Sequence, residues 1–168
     1  MKTNKTYPLP GIETFWMLPA KGAKLHDIIN KEMTRISTQK TIEIQVRKDS
    51  IAINDKTTGI KHTKTLEAFY PGGDDQAENY LRKLSNRRYY IVAKNRDGQM
   101  YLLSTNPISF RYEYSKAESL SDESGFALFA ETEDNNTLVR VLTLSLNNLL
   151  IDSNFDALKD SNNNRLQS

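Results

Sequence analysis

Arg88-Tyr-Tyr-Ile-Val-Ala-Lys-Asn-Arg-Asp-Gly-Gln-Met-Tyr-Leu-Leu103 reads as two strands joined at Asp97-Gly98. Asp-Gly between apolar runs is a strong hairpin signal, and it predicts a type I′ turn with positive φ at both central residues. A third strand follows Asn106-Pro107, where Ile108, Phe110, Tyr112 and Tyr114 alternate with Ser109, Arg111 and Glu113. That period of two describes an antiparallel strand with one apolar and one solvated face. Three strands in close succession set the class as mainly β, and none of them carries a reacting group.

Working outward, Pro8 and Pro10 forbid a helix at the start, so residues 1–11 form an extended arm that ends at Gly11. Ile12 to Leu18 is a strand stopped by Pro19, and Leu25 to Asn30 fits either a short helix or an edge strand. Thr41 to Arg47 alternates strictly, Asp49-Ser50 turns the chain, and Ile51 to Asn54 is the next strand. Asp55 to Gly59 is a turn, and Ile60 to Tyr70 is a long strand that becomes apolar only at its end.

One helix interrupts this pattern, over about residues 74–85. Pro71-Gly-Gly73 breaks the preceding strand, Asp75 caps the first turn, and Glu78 completes a capping box. Ala77, Tyr80, Leu81 and Leu84 then form an apolar stripe. Arg82, Lys83, Arg87 and Arg88 gather at the C-terminal end, where cations complement exposed carbonyls. Further on, Ser115 to Gly125 is a polar loop, and Phe126 to Ala130 is a strand closed by an acidic turn, Glu131 to Asn136. Leu138 to Leu146 is apolar enough to lie between other strands or against another subunit, whereas residues 152–168 form a polar tail rich in Asn, Asp and Ser.

The expected fold is therefore a β-sandwich or partly open β-barrel of six to eight mostly antiparallel strands with one packed helix. Residues 12–151 form the domain, flanked by the arm and the tail. The chain has 168 residues, a hydrophobic share of 38% and no cysteine, which excludes disulfides and thiolate chemistry. Its mean hydropathy of −0.63 is on the polar side of globular. No apolar run is long enough to span a membrane, and the N-terminus lacks the apolar stretch of a secretory signal. A net charge of +2 is far from the basic excess of a non-specific phosphate binder. Lysines nevertheless dominate the first third and acids the stretch from Glu113 to Asp134, so opposite patches either stay solvated or meet between subunits.

The sequence carries no recognisable catalytic pattern. His26 and His62 lie in different elements without metal-ligand spacing, and no Gly-x-Ser-x-Gly occurs. Pro71-Gly72-Gly73 lacks the glycine pattern and the Lys-Ser/Thr of a phosphate loop, and Asp74-Asp75 and Asp122-Glu123 are adjacent carboxylates that do not face across a cleft. No catalytic, cofactor-binding or metal-binding residue is assigned. Tyr89, Tyr90, Phe110, Tyr112 and Tyr114, with Arg88 and Arg111, define an alternative, a stacking platform for single-stranded nucleic acid.

The succession Gly11-Ile12, Tyr80-Leu-Arg-Lys-Leu84, Arg88-Tyr-Tyr-Ile-Val92, Asp97-Gly-Gln-Met-Tyr-Leu-Leu103, Pro107-Ile-Ser-Phe110 and Gly125-Phe-Ala-Leu-Phe129 resembles small β-rich structural proteins of bacteriophage and prophage virions. The resemblance covers roughly Gly11 to Leu146. It implies a non-enzymatic subunit of the tail-tube, tail-completion or ring type, assembled in the host cytoplasm and resident in the virion. Its partners would be copies of itself and neighbouring virion proteins, and DNA would pass without specific binding or any membrane contact. In this frame Tyr7, Pro8, Leu9 and Pro10 are a candidate assembly arm, and Glu131, Glu133 and Asp134 a candidate acidic loop facing a channel or a neighbouring subunit.

Overall fold

A computed structural model of the chain describes residues 5–30, 32–115, 124–146 and 149–151. The first strands are β1 (Lys5–Leu9), β2 (Ile12–Pro19), β3 (Ala23–Leu25), β4 (Ile28–Ile29), β5 (Glu32–Met33), β6 (Ile36–Thr38) and β7 (Ile42–Glu43). β8 (Ala52–Thr58) and β9 (Lys61–Pro71) precede the helix α1 (Asp75–Ser85). Then come β10 (Tyr89–Asn95), β11 (Met100–Leu102), β12 (Phe110–Ser115), β13 (Gly125–Asp134), β14 (Val139–Val141), β15 (Leu144–Leu146) and β16 (Leu149–Ile151). The mainly β, sandwich-like fold with one helix holds, and it is not a closed barrel. The strands outnumber the expected six to eight because several have only two or three residues, too short to leave a repeating pattern in the sequence.

Three sheets stack around two apolar cores. A five-stranded sheet, in the order β1-β8-β9-β13-β12, faces one side of a seven-stranded sheet, β4-β5-β14-β11-β10-β2-β7. The small sheet β16-β15-β6-β3 lies on the other side. In β2, Phe15 and Met17 enter the first core while Trp16 and Leu18 enter the second; in β10, Ile91 and Ala93 oppose Val92 in the same way. Strands buried on both faces need continuous apolar sequence, which is why Phe-Trp-Met-Leu and Tyr-Tyr-Ile-Val-Ala occur there. Helix α1 contributes Ala77, Leu81 and Leu84 to the first core.

The helix and the hairpin each differ from expectation by a local detail. Asp74, not Asp75, is the N-cap, its Oδ1 accepting from the Ala77 N–H at 2.7 Å, so Glu78 falls one residue too late for a capping box. In the hairpin Gly98 has φ 80°, but among described non-glycine residues only Asn30 has positive φ, so the turn is not type I′. The Gly98 N–H donates to the Asn95 carbonyl and the Asn95 N–H to the Gln99 carbonyl, both at 3.0 Å, which makes a three-residue loop ending in a left-handed glycine. The Asn95 carboxamide selects it by accepting from the Asp97 and Gln99 N–H groups. Gly98→Val is expected to cost about 1–2 kcal/mol by forcing a β-branched residue to positive φ. Urea denaturation checks this, and an unchanged midpoint would contradict it.

Pairing across the fold changes four further expectations. The described part of the arm, β1, pairs with β8 from Lys5↔Thr57 to Leu9↔Ile53, and Leu9 packs on the first core. Pro8 is tolerated there because β1 is an edge strand, where a missing donor costs nothing on the open side. Only Ile42–Glu43 of the alternating stretch 41–47 is strand, since the chain leaves the sheet at Ile44 and the Arg47 N–H donates to the Phe69 carbonyl. Asp55 to Thr58 extends β8 instead of turning, and the turn falls at Gly59-Ile60. Glu131 to Asp134 is likewise strand: β13 keeps its register on β9 from Gly125↔Pro71 through to Asp134↔His62. Most of the expected 115–125 loop, and the tail 152–168, lie outside the described residues.

Candidate functional site

At one end of the five-stranded sheet the inner face turns from apolar to charged. Ile53, Leu66 and Ala68 line the first core, but the next inward positions are Asp55 on β8, Lys64 and His62 on β9, and Thr132 and Asp134 on β13. The Lys64 ammonium lies 2.8 Å from Asp134 Oδ1, and its side chain is 1% exposed. Asp134 also accepts from the Ser104 hydroxyl at 3.2 Å and from the Asn136 N–H at 2.9 Å. Beside this pair, His62 Nδ1 sits 2.9 Å from Asp55 Oδ1, while Asp55 Oδ2 accepts from the Leu138 N–H at 3.3 Å. Buried charges persist only when paired and hydrogen-bonded, and here the carboxylates are.

The Asp55–His62 pair borders a cavity of about 230 Å³ whose other walls include Pro8, Leu9, Thr57 and Leu138. His62 Nδ1 also lies 3.3 Å from the Thr57 hydroxyl, so both neighbours hold the ring in place. The pair lies at the end of the core beneath β1, and the cavity's remaining lining is Thr137. His26 is remote from it and contacts Ser37 Oγ through Nε2 at 2.9 Å. Among the described residues no three His, Asp or Glu side chains converge as a metal site requires.

The expected site residues separate. Tyr7, Pro8 and Leu9 lie in β1, with Pro10 just beyond it, on the sheet instead of standing away from it. Of the acidic set, Asp134 is neutralised inside, whereas Glu131 and Glu133 point outward from the same strand. Glu133 accepts from the Lys61 ammonium at 2.6 Å, a contact that raises the lysine pKa above its ordinary value. The three therefore do not form one acidic loop: alternation along a strand sends neighbours to opposite faces.

The aromatic platform separates for the same reason. Tyr89 and Phe110 are buried in the first core, and Tyr90, on the other face of β10, packs against the second. Tyr112 is half-buried edge-on to Phe126 at 5.6 Å, which leaves Tyr114 as the exposed member. Arg111 lies over the Phe129 ring at 5.5 Å on the outer face, away from these aromatics. The Tyr89 hydroxyl donates to the Leu84 carbonyl at 2.9 Å, and burial raises its pKa while the nearby Arg87 charge pulls it back.

Sequence reasoning missed the Asp55–His62 and Lys64–Asp134 pairs, since their partners come from different strands. Of the two alternatives for Leu25 to Asn30 the edge strand is the one formed, as β4, but its exposure was not foreseen: Ile28 and Ile29 are 45% and 58% exposed. The Met33 carbonyl, opposite Ile28, accepts from the N–H of Leu142, another exposed apolar residue. The consecutive Ile28-Ile29 was the available signal, because a solvated edge usually carries charge or proline. Compared with protein-family models, with curated proteins and with solved structures, the chain matches none.

Proposed function

We propose that the chain is a non-enzymatic structural subunit that assembles with copies of itself through sheet edges, as a ring or tube subunit of a bacteriophage tail or neck. The observation that carries the assembly step is β4, the terminal strand of the seven-stranded sheet with two exposed isoleucines. An edge of this kind gains both backbone hydrogen bonds and apolar burial when another strand is added. β12 ends the five-stranded sheet and carries the exposed Tyr114. Two unlike edges on one chain favour head-to-tail contacts, which give a ring where the rotation between subunits closes and a helical tube where it does not.

Placement in a virion rests on the sequence resemblance. Glu131, exposed on the outer face of β13, is the one of the three that is unburied and makes no ion pair among the described residues, and in this reading it faces a lumen through which DNA passes. Sedimentation velocity over a concentration series tests assembly: the mass should rise with concentration, or on adding a neighbouring virion protein. Ile29→Lys should weaken association at least about tenfold without changing the melting temperature, because the side chain is already largely solvated. A chain that stays monomeric under all these conditions, or an Ile29→Lys variant that associates like the parent, would refute the edge mechanism.

A further inference from the structure

Three loops are tied together at one end of the central sheet. Pro19 ends β2 opposite Tyr89, the Ala20 N–H donates to the Arg88 carbonyl at 3.0 Å, and the Gln39 N–H donates to the Gly22 carbonyl at 3.3 Å. The Thr38 hydroxyl donates to the Lys40 carbonyl at 2.8 Å and accepts from the Lys40 N–H at 3.3 Å, which fixes the third loop. Gly22 has φ 99°, and a Cβ there would meet Gln39 Oε1 at 3.3 Å, so the first loop is held to a conformation only glycine adopts freely.

Between these loops lies an open cleft of about 660 Å³ whose walls carry Lys21, Lys40, Arg87 and Arg88, together with Thr38 and Gln39. None of its lining residues is acidic. Among the described residues none of the four cations takes part in an ion pair. The nearby end of α1 does not explain them. A helix C-terminus presents roughly half a negative charge, and Arg82 and Lys83 already stand in the last turn. Arg87 and Arg88 are surplus to that role, and they meet two lysines brought from distant parts of the chain.

Like charges that line one cleft repel, and a bound anion relieves that repulsion. The cleft volume falls in the range of about 300–1,000 Å³ common to small-ligand sites. Its lining holds no aromatic ring for base stacking, so what it recognises is charge, by two guanidinium forks and two ammonium groups. We infer that the cleft binds an oligophosphate, an anion with two or more phosphates spaced as in a nucleoside polyphosphate or a nucleic-acid backbone. This inference is independent of the assembly mechanism.

The test is calorimetric titration of the full chain with inorganic triphosphate at low and at moderate salt. Saturable binding is expected, weakening severalfold as salt rises. Arg88→Ala and Lys40→Ala should each weaken it about tenfold, with Lys21→Gln as a second surface variant and circular dichroism confirming that each is folded. Lys83→Ala, on the helix and outside the cleft, should leave binding unchanged. Two further arms identify the source: tighter binding of ATP than of triphosphate points to a nucleotide, and competitive displacement of triphosphate by a single-stranded oligonucleotide points to a backbone. Absence of saturable triphosphate binding at low salt, or equal losses in Lys83→Ala and Arg88→Ala, would overturn the inference.

Discussion

Lys64→Met is expected to lower stability by about 3–5 kcal/mol, because it leaves the Asp134 carboxylate inside the sheet stack without its cation. The ammonium it removes is 2.8 Å from Asp134 and 1% exposed, so neither partner can turn to bulk water. Asp134→Asn should cost a comparable amount by stranding the lysine. The double variant Lys64→Met/Asp134→Leu should recover a large part of the loss, since an apolar pair of similar volume carries no desolvation penalty. Urea denaturation of the four proteins measures the coupling. The exposed Lys61–Glu133 pair is the control, and Lys61→Ala should be nearly silent. Additive losses in the double variant, or a loss below about 1 kcal/mol in both singles, would show that the pair is solvated.

Leu81→Ala should cost about 2–5 kcal/mol, as expected for a cavity in a packed core. Leu81 is 0% exposed and lies in the first core with Ala77 and Leu84, so the helix is held to the sheets by that stripe. Tyr80, the fourth apolar residue of the pattern, is partly solvated with its ring 6.3 Å from that of Tyr70, and its truncation should cost less. Lys83→Ala should be nearly silent. Thermal melting distinguishes these cases, and similar losses from Leu81→Ala and Lys83→Ala would invert the assigned faces of the helix.

Local signals in the sequence were read well where a few adjacent residues decide the outcome. Gly98 turns the hairpin, Pro71-Gly-Gly73 separates β9 from α1, and the spacing of Ala77, Leu81 and Leu84 sets the helix face. The failures share another origin. Asp55 and Glu131 to Asp134 resemble turn residues taken alone, yet they continue strands because β9 offers a ladder long enough to hold β8 on one side and β13 on the other. Proline in Pro8-Leu9-Pro10 excluded a helix correctly but left an edge strand open as an outcome.

By itself, then, the sequence determined the β class, the one helix, the main turns and which residues share a face, because period, turn chemistry and capping act over a few residues. Tertiary structure decided how many faces are covered and which charges meet. Period-two alternation says that Trp16 and Phe15 point apart, but only the stacking of three sheets buries both. Lys64 and Asp134, 70 positions apart, become partners through the register of β9 and β13. Lys21, Lys40 and Arg88 share one cleft because three loop connections end at the same place. Such encounters depend on long-range register, which no local pattern encodes.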